Sequence, residues 1–132
     1  MRIIAVASRA PEDLIDITDE VEKLVSASAV AEGICHLFCR HTTAGLLVNE
    51  HCDPDVARDI LLALRHIVPE SLPYRHGEGN STAHIKAVLT GVSLQLPISG
   101  GTLALGRWQG IFLAEFDGPR PRREIACLIQ AG

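Results

Sequence analysis

The stretch Gly91-Val92-Ser93-Leu94-Gln95-Leu96-Pro97 is where the hydrophobic pattern of this chain changes period. Val92, Leu94 and Leu96 alternate with Ser93 and Gln95, as in a half-buried strand, and Pro97 with the Gly100-Gly101 pair predicts the turn that follows. Everything downstream reads as extended. Thr102 to Leu105 is a brief strand and Gln109 to Phe116 a longer one. Arg123 to Gln130 is the last, with Ile125, Cys127 and Ile129 on one face and Ala126 and Leu128 on the other.

Upstream of Gly91 the helical period dominates. Asn80 is placed to cap a helix that begins at Ser81 and carries His84, Ala87 and Val88 on neighbouring turns. Asp53 followed by Pro54 is a strong helix start, because proline in the first turn gives up an amide that has no helical partner anyway. That helix is expected to run to about His66, with a stripe of Val56, Ile60, Ala63 and Ile67 flanked by Ala57, Leu61 and Leu64. It must stop before Pro69. An earlier helix is expected over residues 19–29, with Thr18 as its cap and Val21, Leu24, Val25 and Ser28 at helical spacing. Strands precede and follow it: Ile3 to Ala7, then Leu14, Ile15 and Ile17, then Ile34 to Arg40, which is expected to be central. Helices early and strands late predict an α+β domain over residues 1–132, a mostly antiparallel sheet covered on part of its surface by a few helices.

Composition narrows the function. At 47% hydrophobic residues with one Trp, one Tyr and three Phe, the core is aliphatic. A formal charge of -4 argues against a nucleic-acid footprint, and no stretch approaches the roughly 20 apolar residues of a membrane span. Cys35, Cys39, Cys52 and Cys127 sit in or beside apolar runs with no secretory leader, so reduced thiols in a cytoplasmic protein are expected. Cys35 and Cys39 lie about 13 Å apart on an extended strand, too far to share an ion.

Three polar segments carry the candidate chemistry. The first is His41-Thr42-Thr43-Ala44-Gly45-Leu46-Leu47-Val48-Asn49-Glu50, the second runs from His76 to His84, and the third is Asp117-Gly118-Pro119-Arg120. They are expected to fold into one pocket for an anionic, phosphorylated substrate. His41 ends a strand, where side chains project toward a rim, and Thr42 and Thr43 could donate to a phosphate. Glu50 exceeds what capping at Asp53 requires, so it is a candidate to bind magnesium beside a diphosphate or to act as a general base; the alternative is a solvated acidic run. His41, His76 and His84 with Glu50 form a candidate set for a divalent ion, Mg or Zn, although the spacing matches no zinc helix. Arg120 follows a Gly-Pro turn and is the expected bidentate phosphate ligand, oriented by Asp117. His36 and His66 read as structural. No Rossmann, P-loop or nucleophile-elbow pattern is present.

His41-Thr42-Thr43-Ala44-Gly45, Asn49-Glu50, Asp55 with Asp59, Ala83-His84-Ile85-Lys86, Leu89 with Gly91, Pro97-Ile98, Leu105-Gly106, Trp108-Gln109-Gly110 and the Arg120 to Arg123 segment together resemble the YjbQ-like (UPF0047) family, small proteins described as secondary thiamine-phosphate synthases. The resemblance covers nearly the whole chain. It implies an α+β sandwich assembled as a homotrimer, with a polar cleft near a subunit boundary. It also implies a side activity that joins a pyrimidine methyl diphosphate to a thiazole phosphate with release of diphosphate. On the resemblance His41, Asn49, Glu50, His84 and Arg120 occupy motif positions, while His76 lies in a more variable loop. Trp108 would stack on a flat heterocycle or pack at a subunit contact. Two other functions compete with this one: a trimeric phosphometabolite-binding protein without turnover, and a metal-dependent hydrolase.

Overall fold

A computed structural model gives residues 1–132 as eight strands and three helices. In chain order these are β1 (Arg2–Val6), β2 (Asp13–Asp16), α1 (Thr18–Ser28), β3 (Gly33–Cys39), β4 (Ala44–Glu50), α2 (Pro54–Ile67), α3 (Ser81–Thr90), β5 (Ser93–Ser99), β6 (Thr102–Leu103), β7 (Gln109–Glu115) and β8 (Arg123–Ala131). The strands form two sheets, a five-stranded one in the order β1-β8-β3-β5-β6 and a three-stranded one in the order β2-β7-β4. Every ladder is antiparallel. The α+β domain expected from the late strands and the sandwich implied by the resemblance are therefore both present.

Side-chain alternation explains the layers. Cys35, Leu37 and Cys39 of β3 point inward and are buried, as are Ile125 and Cys127 of β8. They meet Leu46, Ile111 and Leu113 from the smaller sheet in one core, which α1 closes with Val21 and Val25. On its other face the smaller sheet carries Leu14, Phe112, Ala114 and Phe116, covered by Ala83 and Ala87 of α3 and by Ala57, Ile60, Leu61 and Leu64 of α2. No helix covers the outer face of the five-stranded sheet, where Ile34, Phe38 and Leu128 are exposed.

Several local expectations need correction. The inward face of α2 is Ala57, Ile60, Leu61 and Leu64, at i, i+3, i+4 and i+7, while Ile67 of the expected stripe is exposed. Thr18 is not the cap of α1: Ile17 holds that position, and the Thr18 hydroxyl donates to Asp16 Oδ1 and accepts from the Ile111 amide. Asn80 stands at the start of α3 but makes no side-chain cap; its amide reaches across to Asp117 instead. The apolar run after His41 is itself a strand, β4, paired along its length with β7.

Gly45 sets the approach of α3 to β4. A Cβ there would lie 2.2 Å from Thr90 Oγ1 and 2.6 Å from the Gly91 carbonyl oxygen, which also accepts the Leu46 amide. The carbonyl is backbone and cannot rotate away. Gly45→Ala is expected to lower stability by about 1–3 kcal/mol, the usual cost of overpacking, as read from urea unfolding. An unchanged midpoint would mean that α3 shifts away from β4 freely.

Candidate functional site

The site lies at the end of the sandwich where β3 finishes, β4 begins and α3 starts. His41 leaves β3 with its Nε2 accepting the Glu124 amide at 2.7 Å. An acceptor nitrogen needs a lone pair, so the ring is neutral with its proton on Nδ1. Burial, reinforced by the Arg123 charge, holds its pKa below the usual histidine range. His41 therefore offers one N–H donor to a ligand and keeps no free nitrogen lone pair for a metal or a proton. Beside it Thr42 is exposed.

α3 brings His84 to the same end. A cavity of about 430 Å³ lies between His41, Thr42, His84, Val88 and Val92. His84 also borders a second cavity of about 360 Å³, shared with Tyr74, Arg75, His76 and Ser81. The His76 and His84 rings meet edge to face, with centroids 5.2 Å apart. Thus the loop read from the sequence as variable and weak, residues 70–79, supplies half of the surroundings of His84.

A buried polar network holds this end together. Glu115 at the end of β7 accepts from Arg123 Nε at 2.9 Å, from Ser8 Oγ at 2.6 Å and from the Asp117 amide at 3.0 Å. Burial alone would raise its pKa, but these donors together bring it below the usual carboxylate value. Ser8 in turn accepts the Arg120 amide at 2.8 Å. Asp117 accepts from Asn80 Nδ2 and from Arg120 Nη2, each at 2.9 Å, which ties the loop after β7 to the first turn of α3. Its pKa is also lowered, since the donated bonds from Asn80 and Arg120 outweigh desolvation.

Not every expected residue converges here. Thr43 is buried and its hydroxyl accepts from Arg123 Nη2 at 2.9 Å, so it braces the network and does not face a ligand. Arg120 is close to the site but committed: Nε donates to the Asp117 carbonyl and Nη2 to the Asp117 carboxylate. Asn49 and Glu50 sit at the opposite end of β4, six residues or about 20 Å beyond Ala44, opposite Gly110 and Gln109. Glu50 accepts the Asp53 amide at 3.1 Å, and Asp53 accepts that of Asp55, so both carboxylates serve the start of α2. Trp108 shares that far end, exposed and lying under the Arg107 guanidinium. Within one chain the proposed metal set of His41, Glu50, His76 and His84 therefore does not form, and no other three His, Cys, Asp or Glu side chains cluster as ligands. None of the helices is long and apolar enough to cross a membrane.

A family model described as "UPF0047 protein YjbQ-like" matches residues 2–131. The chain belongs to the YjbQ-like UPF0047 family. Among its UPF0047 relatives, one from Methanocaldococcus jannaschii is 49% identical over 86% of this chain and 82% of its own length. The YjbQ protein of Salmonella typhimurium is 42% identical over 92% and 91%. A crystal structure of a YjbQ/UPF0047 protein from Clostridium acetobutylicum superposes with a TM-score of 0.95 at 47% identity, covering 98% of this chain and all 100% of the other. A YbjQ-like protein of unknown function from Sulfolobus solfataricus gives 0.95 at 36% identity, covering 99% and 96%. UPF0047 is a family of uncharacterised function, and these likenesses establish its YjbQ-like fold for this chain.

Within this YjbQ-like site, Tyr74 and Arg75 beside His84, and Ser8 and Glu115 beneath it, lie outside the three segments expected from the sequence. Arg75-His76 just before a helix start was a usable signal for the first group. Ser8 and Glu115 had none, because 107 residues separate partners that bond directly.

Proposed function

We propose that this chain binds a phosphorylated heterocyclic small molecule against His84 and acts as a secondary thiamine-phosphate synthase. The observation that carries the binding half is that His84 borders two adjoining cavities, one beside the neutral His41 and Thr42, the other beside Arg75 and His76. The reaction comes from the family resemblance. A thiazole nitrogen attacks the pyrimidine methylene carbon, the C–N bond forms, and the C–O bond to diphosphate breaks with its electron pair leaving on the diphosphate. The residues needed are donors that stabilise the departing oxygens and walls that keep water from the carbon. His84, which borders both cavities, is the donor to the departing oxygens in this reading, and His41, Thr42, Val88 and Val92 line the space that keeps water from the carbon.

A homotrimer belongs to the same proposal. The uncovered outer face of the five-stranded sheet, with Phe38 and Leu128 each 51% exposed, is the surface we assign to it. A single chain lacks a third metal ligand beside His76 and His84, so Mg or Zn enters this reading only as an ion completed by a second copy, and no step is assigned to it.

The test is to incubate the purified chain with the pyrimidine methyl diphosphate and the thiazole phosphate, and to follow products by mass spectrometry alongside light scattering. The expected result is slow formation of thiamine phosphate, one diphosphate per product, by a species of three times the chain mass. Tight retention of the pyrimidine diphosphate without product would make the chain a binding protein. Phosphate release from that substrate alone would make it a hydrolase.

A further inference from the structure

We infer that the anion subsite of this chain is formed by Arg75, His76, Ser81 and His84, and that it takes a diphosphate group. This rests on the phosphorylated-ligand reading above and specifies which half of the ligand lies where.

The partners of the basic side chains point to this assignment. At this end of the sandwich Arg120 is paired with Asp117, Arg123 with Glu115, and Arg40 and Arg122 both with Glu124. A guanidinium already opposite a carboxylate has little net charge left to offer an anion. Arg75, by contrast, has no carboxylate partner, and it borders the cavity of about 360 Å³ with His76, Ser81 and His84. No carboxylate lines that cavity. Glu70 borders the adjoining depression and accepts the Thr82 hydroxyl at 2.6 Å. Arg75, two imidazoles and a hydroxyl thus face one space with donors that no group of the chain occupies.

The loop that presents them is anchored. Tyr74 Oη donates to the Pro69 carbonyl at 2.6 Å, the Tyr74 amide donates to the Leu72 carbonyl, and the Gly79 amide closes a turn onto the His76 carbonyl. An anion binding here does not have to order the loop first, which preserves affinity. The volume sits within the range of roughly 300–1,000 Å³ usual for small-molecule sites. A guanidinium can also hold two phosphoryl oxygens at once.

The neighbouring cavity has no arginine or lysine on its lining. Ala87, Val88, Gly91 and Val92 make most of it apolar, and His41 there is neutral. It suits the uncharged ring. His84 borders both spaces and therefore stands where the bridging oxygen between ring and diphosphate would lie.

Calorimetric titration of the full chain with inorganic diphosphate at constant ionic strength tests the assignment. Arg75→Gln is expected to weaken binding about tenfold or more, the size of a lost charge-assisted hydrogen bond. Arg75→Lys should recover part of the loss, and Arg120→Gln should change affinity by less than about threefold, since Asp117 already occupies that guanidinium. Wild-type affinity in Arg75→Gln together with a large loss in Arg120→Gln would overturn the subsite and leave the broader reading intact. Failure of the wild type to bind diphosphate at all would overturn both. Arg75 is exposed, so its replacement should leave the circular dichroism spectrum unchanged.

Discussion

Glu115→Ala is expected to destabilise the fold by about 3–5 kcal/mol, the range for breaking one side of a buried ion pair. Glu115 is fully buried and Arg123 is 4% exposed, so removing the carboxylate strands a guanidinium that water cannot reach. The same change deprives Ser8 Oγ and the Asp117 amide of their acceptor. Urea unfolding at neutral pH measures the loss. Replacing both partners with apolar residues, Glu115→Leu with Arg123→Met, should recover much of it, because neither charge then remains to be buried. A double variant no more stable than Glu115→Ala would mean that packing, and not the orphaned charge, sets the cost.

The same pair has a pH signature. The folded-state pKa of Glu115 is depressed below the ordinary 4.5, so its contribution is fully present above that value and is lost as pH falls through the folded pKa. Wild-type stability should therefore decline on acidification below about pH 4.5, more steeply than that of the Glu115→Leu, Arg123→Met variant. Parallel slopes for the two would remove Glu115 from the acid response.

His84→Ala is expected to lower the turnover number of the proposed transfer by about 10²–10³-fold, the usual cost of removing one positioned donor to a departing oxygen. The fold should not change. His84 is half-buried on α3, its ring meets the edge of His76, and alanine is the best helix former. Steady-state kinetics with a matched circular dichroism spectrum separates the two effects. If the turnover number holds and only the Michaelis constant rises, His84 binds the ligand without stabilising the departing oxygens in the transition state.

Much of this was legible in the residues. The change of period at Gly91 correctly predicted β5, β7 and β8, and Asp53-Pro54 correctly predicted α2, because both signals act within a few residues of themselves. His41 and His84 were singled out, and the structure does bring them to one cavity. Of the other candidates, Thr43 is buried against Arg123, Glu50 lies at the far end of β4, and Arg120, though close, is held by Asp117. A phosphate-binding arginine and an arginine neutralised by Asp117 have the same letter, and Glu50 looked surplus only because its bond to the Asp53 amide is a matter of three-dimensional reach. What distinguishes Arg75 is that the fold pairs Arg40, Arg120, Arg122 and Arg123 with carboxylates and leaves it without one.

Periodicity, caps and turn residues are local, so the chain's own order was enough to determine an α+β domain whose mostly antiparallel strands are partly covered by a few helices. Which charges remain free was decided only by the folded arrangement. Glu115 meets Ser8 across 107 residues and Arg123 meets Thr43 across 80, and a hydrogen bond at such separations depends on sheet packing that no short stretch encodes. The place of the site follows for the same reason: a side chain is available to a ligand only when no other part of the protein has already satisfied it.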